Sequence, residues 1–330
     1  MAELIRQVRP AWAQLQQLES PLPPHALRHA MLALGMGLLV MAGLAALSTF
    51  WAPTRAWWDA AEHGSAMAAG VQASLLAAVA TAVGALPVFL VTRVSKLQEA
   101  ALLSFSAGVM LAAAIFALLL PSLDAGQALL GGRTGAAALS GVGLALGMGL
   151  MLAVDRFTPH EHAVLPPAAQ GHASAHTPGA VQSARLMVLA ILIHNVPEGL
   201  AVGAAYAGPQ DAAGAQAGAS VALAIGLQNM PEGLIVAMAL RTLGRSAAQA
   251  WGVAALTGLA EPLGAILGLA VLGSLPAFYP LGLALAAGAM LFVVSHEIIP
   301  ETHRNGFETL ATATLLAGFV FMLLLDAALG

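Results

Sequence analysis

Apolar residues fall into long continuous runs along this chain. A helix that crosses the roughly 30 Å hydrocarbon core of a bilayer needs about 20 apolar residues, and nine runs reach that length. We call the first the pre-span and the others spans one to eight. The predicted ranges, in order, are 31–50, 66–92, 98–121, 134–154, 184–206, 215–240, 247–273, 278–300 and 308–328. The runs do not alternate as the strands of a membrane barrel do, so the pattern predicts an all-α polytopic membrane protein.

The composition agrees with this pattern. Hydrophobic residues make up 59% of the 330 positions and charged residues 8%, against about 25% charged residues in ordinary soluble proteins. So few charges exclude a cytosolic globular enzyme, a nucleic-acid binder and a disordered chain. The chain has no cysteine, so any metal must be held by His, carboxylate, amide or Met ligands.

The pre-span has two interpretations, a signal peptide and a retained membrane helix. Its apolar run exceeds the roughly 7–15 residues of a signal peptide, and about 30 residues precede it, so we favour a retained helix. We therefore expect residues 1–65 to hold a cytoplasmic N-terminus, an extra transmembrane helix and an outer loop. Residues 66–330 form the main membrane domain.

The basic residues predict the orientation. Cytoplasmic segments of membrane proteins are enriched in Lys and Arg, and ten of the 12 basic residues fall in one set of alternate segments. Only Arg55 and Arg133 fall in the other set. We expect the N-terminus inside and the C-terminus outside. The ten are Arg6, Arg9, Arg28, Arg93, Lys96, Arg156, Arg185, Arg241, Arg245 and Arg304.

The longest predicted loop, 156–183, lies on the cytoplasmic side in this topology. It is rich in Pro, Ala, Gly, Ser and His, a composition typical of flexible segments. His160 and His162 form an H-x-H pair that either contacts metal or is simply solvated.

Ionisable residues at membrane depth are expensive and usually functional. Glu198, Glu232 and Glu261 fall well inside spans, as does His194, and no Lys or Arg is predicted there. Three such carboxylates must be protonated, hydrated or bound to a cation. A bound cation is the most economical explanation.

Two matching hexads carry this chemistry. Residues 194–199 read HNVPEG and residues 228–233 read QNMPEG. Since residues i, i+3 and i+4 share a helix face, each hexad presents a carboxylate, a carboxamide and an imidazole or second amide together. Such ligands suit a divalent cation of intermediate hardness. The ligands are His194, Asn195 and Glu198 in span four and Gln228, Asn229 and Glu232 in span five.

Prolines accompany the carboxylates. Pro197 and Pro231 each remove a backbone donor, so we expect a kink beside each set of ligands. Span six contributes Glu261 next to Pro262. Glu261 either joins the same site or is a lone protonated carboxyl bonded to a neighbouring carbonyl.

Further candidates lie outside the hexads. Met110 in span two is either a packing residue or a thioether ligand. The end of span seven carries His296, Glu297 and Glu301, which form either an exit site for the ion or a solvated helix end. In span three, Gly143 and Gly147 have two interpretations. They either allow close helix packing or form a smooth surface on which one group of helices slides past another.

These motifs resemble the Zrt-, Irt-like protein (ZIP) family of divalent-metal transporters. HNVPEG and QNMPEG are similar to the span-four and span-five signatures of that family, and EPLG (261–264) and HEIIPE (296–301) match its later helices. The resemblance covers about 66–330. It implies an eight-helix bundle in an inverted 3+2+3 arrangement, here with one extra N-terminal transmembrane helix. It also implies an elevator-type alternating-access mechanism and a homodimer.

The resemblance further implies a binuclear metal centre in which Glu198 and Glu232 bridge the ions. Besides the two bridging carboxylates, the ligands of one metal are Met110, His194 and Gln228. Those of the other metal are Asn195, Asn229 and Glu261. Many family members have His where this chain has Gln228, and some have Asp where it has Asn229. Both differences leave the choice of metal open.

We therefore expect a transporter that moves a divalent transition metal into the cytoplasm across a bacterial inner membrane, and no enzyme activity. Zinc is the first candidate, with cadmium, iron and manganese as others. No catalytic cofactor and no nucleic-acid partner are expected. Two other functions stay open: an intramembrane metallohydrolase, disfavoured because H-E-x-x-H is absent, and a metal sensor without flux.

Overall fold

The computed structural model describes residues 66–91, 93–157, 178–303 and 306–329. Within these ranges the chain forms helices and no strand. The predicted pre-span and the residues His160 and His162 lie outside them. The longer helices are α1 (Ala66–Gly84), α2 (Lys96–Ala112), α3 (Leu120–Leu130), α4 (Arg133–Phe157), α5 (Pro178–Tyr206), α6 (Ala212–Thr242), α7 (Ala247–Gly258), α8 (Ala260–Ser274), α9 (Tyr279–Val293) and α11 (Glu308–Leu329), with the short α10 at Ile299–His303.

Four short segments complete the helices. Single 3-10 turns occupy Leu86–Phe89 and Pro276–Phe278. Two π-helical segments, Ala113–Leu119 and Val294–Ile298, join α2 to α3 and α9 to α10. Such segments are rare and are frequent at functional sites. The hydrophobic pattern predicts neither of them, because a one-residue change in helical winding leaves an apolar run unchanged.

Seven helical stretches in the described part of the chain are long and apolar enough to cross a membrane. They confirm seven of the eight spans predicted within 66–330. The remaining span, 184–206, lies in α5, a helix of 29 residues. The seven stretches are Ala66–Phe89, Lys96–Leu130, Arg133–Arg156, Gly214–Thr242, Ala247–Ser274, Tyr279–His303 and Glu308–Ala328.

Capping side chains determine where several helices begin. Ser95 and Gln98 form a capping box at α2, and Ser246 and Gln249 form another at α7. Each pair satisfies backbone donors that have no partner in the first helical turn. Helix α5 begins at Pro178 and α4 ends at Phe157, so the segment between them is shorter at both ends than the predicted loop 156–183.

Glycines allow the helices to pack backbone to backbone in pairs. A Cβ atom at Gly199 would collide with the Glu261 carbonyl, and one at Gly264 would collide with the Val196 carbonyl. This close approach joins α5 to α8, and similar glycine contacts join α1 to α6, α2 to α11 and α4 to α9. Small residues serve this purpose in lipid, where no hydrophobic force drives helices together. Gly143 and Gly147 of α4 make such contacts with α9, as the packing interpretation expects.

The break in span six lies next to its carboxylate. Helix α7 ends at Gly258 and α8 begins at Ala260, so Glu261 and Pro262 stand in the first turn of a new helix. Pro262 has no N–H to continue the α7 hydrogen-bond ladder. Pro197 and Pro231, by contrast, lie inside helices that continue past them.

Candidate metal centre

The two hexads face each other across the contact between α5 and α6. Gln228 Nε2 of α6 donates a hydrogen bond to Glu198 Oε1 of α5 at 2.8 Å. Both residues are almost completely buried, with exposures of 0% and 1%. The polar side chains that the sequence places at membrane depth therefore contact each other inside the bundle.

Glu261 joins the same network from α8. Asn229 Nδ2 donates to Glu261 Oε1 at 2.8 Å, and the Thr81 hydroxyl of α1 lies 3.5 Å from the same oxygen. Gln228 and Asn229 are adjacent on α6, and Glu232 lies one helical turn beyond them on the same face. Helix α6 therefore brings the three predicted carboxylates to one region of the bundle, and the hydrogen bonds to Glu261 come from side chains.

Asn195 ties the site to the broken helix. Its Nδ2 donates to the Thr257 carbonyl oxygen at 2.8 Å. Thr257 lies in the last turn of α7, where carbonyl groups lack intrahelical donors. The side chain that the resemblance assigns to a metal therefore also anchors the end of α7.

His194 and Glu297 connect α5 to the end of span seven. His194 Nε2 lies 2.9 Å from Glu297 Oε1, and both side chains are mostly buried. Glu297 belongs to the π-helical segment Val294–Ile298. Glu297, one of the span-seven candidates, therefore contacts a hexad residue directly.

The other span-seven candidates lie apart from this contact. His296 is exposed, stacks on Phe292 with ring centroids 4.8 Å apart, and has its Nε2 3.8 Å from Asp155 Oδ2. Glu301 is buried in the short helix α10. His296 therefore lies close to α4.

Ser106 is a polar contact that the sequence pattern does not reveal. Its hydroxyl lies 2.9 Å from Glu232 Oε1 and 3.2 Å from the Gln228 carbonyl oxygen. A single serine in an apolar run carries no spacing signal, so only the packing of α2 against α6 identifies it. Met110, fully buried, lies one helical turn beyond Ser106 on the same face of α2.

Four buried oxygens in this network accept no hydrogen bond within the described residues. A buried acceptor without a partner costs about 1–3 kcal/mol, and a cation coordinated by such oxygens would offset this penalty. None of the three carboxylates forms an ion pair with Lys or Arg in the described part of the chain. The oxygens are Glu198 Oε2, Gln228 Oε1, Asn229 Oδ1 and Glu261 Oε2.

The side chains that could bind a metal at this site are of mixed chemical type. No group of three or more His, Cys, Asp or Glu side chains within residues 66–91, 93–157, 178–303 and 306–329 is arranged to hold a metal by itself. Each of Glu198 and Glu261 accepts a hydrogen bond from an amide side chain. A cation here would take carboxamide as well as carboxylate oxygens.

Long apolar helices and a buried network of carboxylates, amides and one imidazole define an integral membrane protein with a polar site at membrane depth. A family model described as ZIP zinc transporter matches residues 168–326. The zinc transporter GufA of Myxococcus xanthus is 45% identical over 265 residues, which are 80% of this chain and 100% of that protein. The zinc transporter ZIPB of Bordetella bronchiseptica is 41% identical over 251 residues, 76% of this chain and 78% of that protein.

A vertebrate protein shares a shorter stretch. The zinc transporter ZIP11 of Homo sapiens is 45% identical over 147 residues, which cover 44% of this chain and 43% of that protein. The chain belongs to the ZIP zinc transporter family. The resemblance stated from the hexads is therefore confirmed, as is the expectation of a membrane transporter rather than an enzyme.

Proposed function

We propose that this protein carries Zn²⁺ across the membrane into the cytoplasm through the site between α5 and α6. The observation that carries the proposal is that four buried oxygens without hydrogen-bond partners lie together on hexad residues and Glu261. Relatives named as zinc transporters support zinc as the ion. Cadmium, iron and manganese are further candidates, because carboxylate, amide and imidazole donors accept several divalent metals.

The ligands divide into two sets in this proposal. His194, Gln228 and Met110 bind one ion, and Glu198 and Glu232 bridge it to a second. The contact between Gln228 and Glu198 supports the first set, since it joins two of its members. Metal binding displaces protons from such ligands, so loading the site releases protons.

The second ion is bound by Asn195, Asn229 and Glu261 together with the bridging carboxylates. Asn229 already contacts Glu261. The bond from Asn195 to the Thr257 carbonyl uses its amide nitrogen and leaves its amide oxygen for the ion. Because two of these three residues are amides, the second ion meets less negative charge than a set of three carboxylates would supply.

The helix pairs support an inverted 3+2+3 arrangement. Span one packs on span five and span six packs on span four, while span two packs on span eight and span seven packs on span three. Consider an exchange of span one with six, two with seven, three with eight and four with five. It converts the first of these pairs into the second and the third into the fourth. The two π-helical segments lie in spans two and seven, which this exchange also relates.

The same pairs suggest how the ion moves. Spans one, four, five and six form one group that carries most of the ligands, and spans two, three, seven and eight form another. We propose that the first group moves as an elevator against the second. Ser106 with Glu232, and Glu297 with His194, are polar contacts between the two groups, so they change during that movement.

The exit path leads from His194 to Glu297 and onward past His296 and Glu301 to the cytoplasmic loop with His160 and His162. This follows from the orientation predicted by the basic residues, with the N-terminus inside and the C-terminus outside. A bacterial inner membrane is the proposed location and a homodimer the proposed assembly. Residues 1–65 form an N-terminal segment outside the transporter domain at 66–330.

Uptake by purified protein in liposomes tests the proposal. A panel of Zn²⁺, Cd²⁺, Fe²⁺ and Mn²⁺ is offered outside the vesicles, with and without a pH gradient, and ion-sensitive dyes report entry. We expect saturable Zn²⁺ entry that empty liposomes lack. Zinc binding without entry would instead support a sensor.

A further inference from the structure

The hydroxyl of Ser106 is held against the proposed site from a neighbouring helix. Ser106 lies in α2, is completely buried, and has its Oγ 2.9 Å from Glu232 Oε1 of α6. The Gln228 carbonyl oxygen lies slightly farther away, at 3.2 Å. A hydroxyl has one proton to donate, and the nearer, charged acceptor makes the stronger hydrogen bond.

Glu232 is the least buried of the three carboxylates and has one hydrogen-bond partner. Glu198 and Glu261 are fully buried, whereas Glu232 is partly exposed. The bond from Ser106 is the one hydrogen bond that the Glu232 side chain makes within the described residues. Without it, the carboxylate would be free to adopt other rotamers, and binding an ion would then carry the entropic cost of fixing the side chain.

Met110 lies on the same face of α2 as Ser106. Met110 follows Ser106 by four residues in a segment that is α-helical through Ala112, so the thioether and the hydroxyl share one face. Ser104 is buried as completely as Ser106, but its hydroxyl has no hydrogen-bond partner in the described part of the chain. Burial of a serine in α2 thus does not by itself produce the contact.

We propose that Ser106 is a positioning residue for metal binding. Its hydroxyl holds Oε1 of Glu232 and thereby orients the carboxylate so that Oε2 faces the ion. The inference rests on the proposed function, because it assumes that Glu232 binds the transported metal. Helix α2 then supplies a hydroxyl that positions a ligand, in addition to the proposed thioether ligand of Met110.

Zinc affinity of the purified full-length protein in detergent tests this role. The probe is ZnCl₂ in competition with a chelating dye, and the variants are Ser106→Ala, Ser106→Thr and the matched control Ser104→Ala. Because a hydrogen bond to a carboxylate is stronger than one between neutral groups, we expect Ser106→Ala to raise the dissociation constant for zinc about tenfold or more. Ser106→Thr should restore affinity to within about threefold of the original, since it keeps the hydroxyl. Ser104→Ala should match the unmodified protein.

The outcomes separate this inference from the proposed function. Unmodified protein that neither binds nor transports zinc overturns both. Zinc binding that Ser106→Ala leaves unchanged overturns only the positioning role. An equal loss in both alanine variants also overturns it, because the effect is then one of packing. If Ser106→Ala fails to fold, the zinc affinities of Ser106→Thr and Ser106→Val are compared, because these two side chains have the same shape and only threonine has a hydroxyl. Equal affinities would refute the role of the hydroxyl.

Discussion

His194 Nε2 lies 2.9 Å from Glu297 Oε1, so the imidazole proposed to bind metal is already engaged by a carboxylate of another helix. Under the proposed function, zinc that binds His194 through Nε2 would displace Glu297 from that nitrogen, and release of the ion would allow the contact to form again. The pair would thus connect occupancy of the site to the contact between α5 and the end of span seven.

Replacing Glu297 by Gln should separate binding from transport. The amide is a weaker partner for His194 than the carboxylate, so zinc competes more easily for Nε2, and affinity should stay equal or become tighter. Flux should fall about tenfold, equivalent to about 1.4 kcal/mol, because the exit path loses its charged acceptor. Dye competition and liposome uptake measure the two quantities. Loss of zinc binding in this variant would instead place Glu297 among the ligands.

Replacing Glu198 or Glu232 by Gln should abolish zinc uptake. Each change removes one negative charge from a site that has no Lys or Arg ion pair in the described residues, while keeping the shape of the side chain. Glu308→Gln is the matched control, since Glu308 is exposed in the first turn of α11. Uptake is measured in liposomes after size-exclusion chromatography has shown folded protein. Normal flux in either site variant would remove the bridging carboxylate from the mechanism.

Replacing Gln228 by His should shift selectivity toward zinc over manganese. Imidazole nitrogen suits zinc better than an amide oxygen, which manganese accepts readily. The change also removes the hydrogen bond from Nε2 to Glu198 and so frees that carboxylate for the ion. Uptake of Zn²⁺ in competition with Mn²⁺ gives the ratio. An unchanged ratio would mean that position 228 does not govern the choice of metal.

Replacing Gly199 by Ala should destabilise the packing of α5 on α8. The added methyl group meets the Glu261 carbonyl, and overpacking of this kind costs about 1–3 kcal/mol. Gly273→Ala in α8 is the matched control, because nothing lies within 4 Å of its added Cβ atom. Thermal unfolding in detergent should show a lower Tm for the first variant alone. Equal Tm values would contradict the close contact described here.

The spans could be predicted because membrane helices satisfy their own backbone hydrogen bonds and need only a sufficient apolar length. The predicted span 215–240 and the observed stretch Gly214–Thr242 differ by one or two residues at each end. The hexads could be found for a similar reason. Carboxylates and amides stand out against apolar neighbours, and their i, i+3 and i+4 spacing places them on one face.

Contacts between helices could not be predicted in this way. Ser106 and Thr81 are ordinary small polar residues in apolar runs, and only the packing of α2 on α6 and of α1 on α8 brings them to Glu232 and Glu261. The break at Leu259 is local, and Pro262 in the first turn of α8 explains it. The π-helical turn that carries Glu297 toward His194 was not indicated by any residue.

The sequence by itself determined the membrane class, the positions of the spans and the chemistry held at depth, because those properties depend on the length of apolar runs and on residue type. The tertiary structure decided which oxygens remain without partners, which helix supplies a hydroxyl to Glu232, and which carboxylate engages His194. These relationships join residues up to 126 positions apart. They follow from the packing of one helix against another, a property of the assembled bundle that no single segment carries.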